Sequence, residues 1–234
     1  MNSPPVYNLY KMGKQISNPN ETINILQNIN LSVYKEETVA IVGSSGSGKT
    51  TLLHIMGGLD TPTFGQIYFH GEDISRFSPL GLANFRNQKI GFIFQFHHLL
   101  PEFSTLENVA MPALIQGQSK KKSLEKAKGL LRTVGLSGQE KQPVLTLSGG
   151  ERQLASTARA LMQDPDCLFA DEPTGNLDEK NGEIIQDLLL HLNQKLGTTL
   201  ILATHNHDLA DKMQKKLLLK TGELSEVATA EKTA

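Results

Sequence analysis

The 234-residue chain has no tryptophan and one cysteine, Cys167. A lone cysteine excludes an internal disulfide framework and any zinc site built on clustered cysteines. It lies in the apolar run Cys167-Leu168-Phe169-Ala170 and reads as a small core residue. Neither sign of charge predominates: 23 Lys and Arg against 24 Asp and Glu leave a formal net charge of -1. General electrostatic nucleic-acid binders show a basic excess, so no nucleic-acid partner is expected. No stretch approaches the ~20 consecutive apolar residues that a membrane-spanning helix requires. Residues 1–11 lack the charged, apolar and small-residue pattern of a secretory signal. The chain is therefore expected in the cytosol, and any work at a membrane needs something else to hold it there. What is present, 38% hydrophobic and 20% charged residues, describes a soluble globular protein. Its length allows one large domain or two small ones, with a core that needs no staples.

No internal repeat or long linker is visible. Residues 14–22 read as a polar loop and 225–234 as a frayed tail. Between them strands and helices alternate. Thr38–Val42, Ile67–Phe69, Ile90–Phe94, Asp166–Ala170, Thr198–Ala203 and Leu217–Leu219 read as short strands. Helices are expected over Lys49–Met56, after the capping box Ser104-Thr105-Leu106-Glu107, and over Ser123–Val134. Two more are marked by the stripe Leu154, Ala155, Ala158, Leu161, Met162 and by Ile184 to Leu196, with Gly197 as a stop. Such alternation implies an α/β fold with a mostly parallel sheet covered on both faces. Ligands then bind beyond the carboxyl ends of the strands.

Gly43-Ser44-Ser45-Gly46-Ser47-Gly48-Lys49-Thr50 follows an apolar strand and opens a helix, the context that gives a G-x-x-x-x-G-K-[ST] match its meaning. Glycines let successive backbone N–H groups turn inward toward phosphate oxygens, helped by the positive end of the helix. Lys49 adds a full charge over the terminal phosphates, and the Thr50 hydroxyl is a ligand for Mg2+. A Gly/Ser-rich flexible loop would not place Lys and Thr just inside a helix. Further on, the strand ending at Ala170 runs into Asp171-Glu172-Pro173. A carboxylate at such a strand end holds Mg2+ beside a phosphate loop, which suits Asp171. Glu172 points elsewhere and is placed to polarise the attacking water. Most adjacent carboxylates are solvated surface; the apolar strand before this pair distinguishes it. Leu147-Ser148-Gly149-Gly150-Glu151 is by itself a capping box. A cap does not need two glycines, which weaken a helix by roughly 1 kcal/mol each. Side-chain-free backbone at a helix start is a second anion site.

In order, the phosphate loop, Gln95 after an apolar strand, Ser148-Gly149-Gly150, Asp171-Glu172 and His205 after another strand resemble the motifs of ATP-binding cassette (ABC) ATPases over nearly the whole chain. The resemblance implies one P-loop NTPase cassette over 1–234. It would have a mostly parallel core sheet, an antiparallel β subdomain and a helical signature subdomain at about 96–162. ATP and Mg2+ are the implied cofactors. ATP would be bound by Gly43 to Thr50 and Thr51 of one subunit and, in trans, by Ser148, Gly149 and Gly150 of a second copy in a head-to-tail homodimer. Thr50, Gln95 and Asp171 would meet Mg2+. Glu172 would act as general base, His205 would contact the γ-phosphate, and Asp178 would lie in a loop crossing the dimer interface. Departures are Gly13 where the family usually has an adenine-stacking aromatic (Tyr10 or Tyr7 being substitutes), Asn206 where Asp is common, and Leu154 where Arg is common.

The runs Gln95 to Pro101 and Leu106 to Pro112 resemble the cassettes of lipoprotein-releasing systems, with macrolide-export and cell-division cassettes as the alternative. Such a cassette works on two integral-membrane permease subunits, peripherally at the cytoplasmic face of the inner membrane and without a covalent anchor. The permease would dock on the loop after Gln95. His97-His98, read as strand residues facing opposite ways, lack a third ligand for a metal. Lys120-Lys121-Lys122 reads as a solvated loop before a helix, with contact to anionic lipid as the alternative. A soluble ABC factor for repair or translation would carry long insertions or a second cassette, and a binding-only module would not need Glu172 and His205.

Overall fold

The computed structural model describes residues 4–19 and 21–227. In chain order the strands are β1 (Tyr7–Asn18), β2 (Glu21–Val33), β3 (Thr38–Val42), β4 (Phe64–Phe69), β5 (Glu72–Asp73), β6 (Ile90–Phe94), β7 (Cys167–Asp171), β8 (Thr199–Ala203), β9 (Lys215–Lys220) and β10 (Glu223–Glu226). The helices are α1 (Lys49–Met56), α2 (Pro79–Lys89), α3 (Thr105–Ile115), α4 (Lys120–Thr133), α5 (Gly149–Ala160), α6 (Glu179–Leu196) and α7 (His207–Asp211). They fall into two compact units, one formed by residues 1–84 with 199–234 and the other by 85–198.

The first unit contains two sets of strands. β1 pairs antiparallel with β2 and with β4, and β4 with β5. β3 runs parallel between β8 and β9, and β10 folds back on β9. Every residue of β3 and of β8 is buried. That is why both read as unbroken apolar runs rather than alternating ones. Helix α1 buries Leu52, Leu53, Ile55 and Met56, and the Tyr7 hydroxyl donates to the Met56 carbonyl at 3.0 Å.

In the second unit β6 and β7 are parallel and in register from Ile90 opposite Cys167 to Phe94 opposite Asp171. Helices α3, α4 and α5 share a core built on Val109, Ala110, Ala113, Ala127, Leu131, Ala155 and Ala158. The many alanines let these helices approach closely. Leu154 packs against the same cluster, which explains an apolar residue at that position. Both expected capping boxes are present, Ser104 with Glu107 on α3 and Ser148 with Glu151 on α5. Gly197 ends α6 at φ 65, as its stop role requires.

Several boundaries differ from the sequence reading. Residues 14–22 are not a plain loop: β1 and β2 extend through a polar ladder in which Gln15 faces Asn24, Ile16 faces Ile23 and Ser17 faces Thr22. Both faces carry polar side chains, so no apolar alternation marks it. Ser225 and Glu226 belong to β10, paired with Leu218 and Leu217; 228–234 lie outside the described residues. Lys120 to Lys122 form the first turn of α4 rather than a loop before it. His97 and His98 are not strand residues; their φ values of 51 and 49 place both in a left-handed turn.

Gly91 on β6 has no room for a side chain, since a Cβ would stand 2.4 Å from the Ala160 carbonyl oxygen and 2.6 Å from Leu168 Cδ2. Gly91→Ala is expected to destabilise the protein by about 1–3 kcal/mol in urea unfolding. Gly129→Ala, inside α4 with open space around it, is expected to stabilise by about 0.5–1 kcal/mol.

Candidate nucleotide site

The chain from β3 to α1 is built around backbone. Gly43 leaves β3 where a Cβ would meet the Leu219 carbonyl oxygen at 2.4 Å and Ser47 Oγ at 2.7 Å. Gly46 and Gly48 have φ of 78 and 104, a region closed to most side chains. Gly48 is also the N-cap of α1, so the helix begins without a capping side chain over its N–H groups. Lys49 is buried in the first turn, and its ammonium donates to the Gly43 carbonyl at 2.9 Å and the Ser44 carbonyl at 3.2 Å. Ser44, Ser45, Gly46 and Thr50 are exposed, and Thr51 is half-buried. His205 belongs to the same unit. Ile41 on β3 pairs with Ala203 on β8, and the Thr204 N–H donates to the Ile41 carbonyl at 3.1 Å. Gly43 and His205 therefore leave neighbouring strands at the same level, two residues past that pair. Asn206 caps α7 by accepting from the Leu209 N–H at 3.0 Å, a task for which an amide oxygen and a carboxylate are equivalent.

The second unit brings together Gln95, Asp171 and Glu172. Phe94 pairs with Asp171, so Gln95 and Glu172 each follow the end of one of two adjacent parallel strands. Gln95 is held twice by Asn176: its Nε2 donates to Asn176 Oδ1 at 3.2 Å, and Asn176 Nδ2 donates to the Gln95 carbonyl at 3.1 Å. Glu172 has φ 46, a conformation that non-glycine residues adopt rarely. The Gly175 N–H donates to the Glu172 carbonyl at 3.1 Å. A Cβ on Gly175 would stand 3.1 Å from Gln95 Nε2 and 3.5 Å from Glu172 Cβ. Asn176 is thus a positioning residue that the sequence reading passed over; its signal was an Asn following Gly175, four residues after Glu172.

Ser148, Gly149 and Gly150 lie in the same unit. A Cβ on Gly150 would meet Asn181 Oδ1 at 2.8 Å, and one on Gly149 would meet Leu177 Cδ2 at 3.6 Å. Asp178 caps α6, accepting from the Asn181 N–H at 3.0 Å and the Asn181 side chain at 2.6 Å. These hydrogen bonds pull the Asp178 carboxyl below the usual aspartate range. Asn181 thereby joins the glycines after Ser148 to the loop that carries Asp178. Tyr7 is fully buried, which removes it as a stacking surface, whereas Tyr10 is exposed.

Residues 26–175 match the family described as ABC transporter. The chain belongs to the ABC transporter family. It is 53% identical over 222 residues to the lipoprotein-releasing system ATP-binding protein LolD of Nitratidesulfovibrio vulgaris, covering 95% of each chain. It is 46% identical over 225 residues to the LolD of Coxiella burnetii, covering 96% of this chain and 97% of that one. Among solved structures, the dimeric post-hydrolysis state of the ATP-binding cassette MJ0796 bound to ADP and Pi superposes with a TM-score of 0.89 at 35% identity, over 96% of this chain and 99% of that one. The cassette cbiO1 of Clostridium perfringens, part of the ABC transporter complex cbiONQ, gives 0.84 at 26% identity over 95% of this chain and 88% of that one. The α/β cassette fold expected from the motifs is therefore the observed one.

The turn after Gln95 is anchored to α5. Arg159 donates to the His97 carbonyl at 2.6 Å and the His98 carbonyl at 2.5 Å, and Ser156 Oγ to the His97 carbonyl at 3.4 Å. Burial lowers the Arg159 guanidinium to about 10, so it stays charged at neutral pH. His97 is lowered below 6.5 by burial first, then by the charges of Arg152 and Arg159; a backbone hydrogen bond with Gly149 works against this, and His98 adds to it. A histidine whose folded value lies below its unfolded one favours folding while neutral, and that stability is lost as pH falls from 6.5 toward the folded value. Thermal unfolding is expected to show a larger drop in Tm between pH 7.5 and pH 5 for the wild-type chain than for His97→Asn, which tolerates the left-handed backbone. An equal drop would contradict it.

Proposed function

We propose that this chain is the ATPase subunit of a lipoprotein-releasing ABC transporter, working as a head-to-tail homodimer beneath two integral-membrane permease subunits at the cytoplasmic face of the inner membrane. The observation that carries the reading is the position of Lys49. Its ammonium is folded over the carbonyls of its own loop, where a terminal phosphate would offer a charged acceptor instead. Gly43 to Thr51 then hold ATP through backbone N–H groups and the start of α1. Ser148, Gly149 and Gly150 of the second copy meet it in trans, and the Asp178 loop lies at the dimer interface.

Thr50, Gln95 and Asp171 present hydroxyl, amide and carboxylate oxygens, the hard donors that suit Mg2+. When bound, the ion neutralises charge on the β- and γ-phosphates. Glu172 takes a proton from the attacking water as its oxygen bonds to the γ-phosphorus and the bridging bond to ADP breaks. Its main-chain strain and its contact with Gly175 fix the carboxylate's base on the strand end. His205 donates to the γ-phosphate. Gln95, clamped by Asn176, senses the site from the root of the loop that carries Phe96, which is 70% exposed. That loop is the docking surface for the permease. The likeness to relatives named for lipoprotein release, at about half identity over nearly the whole chain, supports this cargo over macrolide export or cell division. No helix among the described residues is long and apolar enough to cross a membrane, in keeping with force generation by a separate permease.

Lys49→Ala removes charge-assisted bonds of roughly 1.5–3 kcal/mol each and is expected to weaken nucleotide binding at least tenfold in titration. Glu172→Gln is expected to bind MgATP, accumulate as a dimer in size exclusion and hydrolyse at under a hundredth of the wild-type rate. Near-wild-type turnover would remove Glu172 as general base. Phe96→Asp is expected to lose co-purification with the permease and release of acylated proteins while keeping basal ATPase.

A further inference from the structure

We propose that the ring of His97 is a latch on the start of α5, a positioning residue that fixes Gly149 and with it the contact of Ser148, Gly149 and Gly150 to the nucleotide of the second copy. The inference rests on the reading of those three residues as the trans site and names what sets their place.

The main chain is pinned first. His97 follows Gln95 by two residues, and its φ of 51 is left-handed. Its carbonyl accepts from Arg159 at 2.6 Å and from Ser156 Oγ at 3.4 Å. Both donors lie in the second half of α5. Glycine would adopt such a turn with less strain. What histidine adds at this position is the ring.

The ring reaches toward the other end of the same helix. It forms a hydrogen bond with the Gly149 backbone, of the sense that favours the protonated imidazole. Only a bond that the ring donates has that sense, so the acceptor is the Gly149 carbonyl. Nε2 is buried without a hydrogen-bond partner, which leaves Nδ1–H as the donor. A first-turn carbonyl also serves the N–H four residues on, and its second lone pair is open to the ring. Gly149 and Ser156 are seven residues apart, two turns, and so share one face of α5. His97 therefore grips that face at two points, by its carbonyl and by its ring.

Little else locates Gly149. A Cβ there would find only Leu177 Cδ2 within 4 Å, at 3.6 Å. His98 is the internal contrast. It shares the left-handed backbone and the Arg159 anchor, but its ring packs edge-on against Phe94 at 5.0 Å.

The test uses the full-length chain. His97→Gly suits the left-handed turn and keeps the carbonyl for Arg159 and Ser156, so it removes the ring alone. His97→Asn keeps an amide N–H near the place of Nδ1. In the Glu172→Gln background, sedimentation in saturating MgATP reads the dimer dissociation constant. His97→Gly is expected to raise it roughly fivefold or more, since the dimer uses the contact twice and one hydrogen bond is worth a factor of about two at least. His97→Asn should recover most of that loss, and His98→Gly should stay within about twofold. MgATP affinity, titrated at concentrations too dilute for dimers, should stay within about twofold in every variant. A rise of less than about threefold in His97→Gly would overturn the latch and leave the trans site standing. So would equal losses in His97→Gly and either His97→Asn or His98→Gly, or a matching loss of monomer affinity, the mark of a merely structural role. Absence of an MgATP-dependent dimer in the Glu172→Gln parent would overturn both.

Discussion

The end of β3 is the constraint on which the rest depends. Gly43 leaves the strand against the Leu219 carbonyl and the Ser47 hydroxyl, at distances that admit no side chain. The chain must therefore turn there on bare backbone, and Gly46 and Gly48 complete the turn in conformations that carry the next N–H groups inward. Helix α1 can then start with its dipole and Lys49 aimed at one point. β3 is wholly buried between β8 and β9, so this backbone geometry is held by core packing. Strand ends on a parallel sheet are where such loops can converge without disturbing the core.

In the second unit, local structure and chemistry draw on the same residues. Ser148 and Asp178 each cap a helix, and each carries a proposed role at the dimer interface. Asn181 both completes the Asp178 cap and abuts Gly150. Asn176 closes on both the amide and the main chain of Gln95. From Gln95 the chain passes into the left-handed turn at His97 and His98, whose carbonyls are gripped by Arg159. Helix α5, which begins at the glycines after Ser148, thus also anchors the loop proposed to dock the permease.

The parts legible in the sequence were those dictated by neighbours along the chain. β3, β6, β7 and β8 are apolar runs, the phosphate loop is a spacing of glycines before Lys49, and both capping boxes are four-residue patterns. The parts that were not legible depend on partners far away. The far end of the β1–β2 ribbon, Gln15 to Ser17 opposite Thr22 to Asn24, has no buried apolar face, so only pairing across strands reveals it. Arg159 carried no signal along the chain; only the fold brings the His97 and His98 carbonyls to it.

The central claim, that Gly43 to Thr50 receive the phosphates through their backbone, is tested most directly by amide hydrogen exchange with and without MgATP. The account predicts marked slowing at Ser44 to Thr50 and at the start of α1, absent in Lys49→Ala. Protection confined to other segments, with these amides exchanging as fast in MgATP as without it, would contradict it.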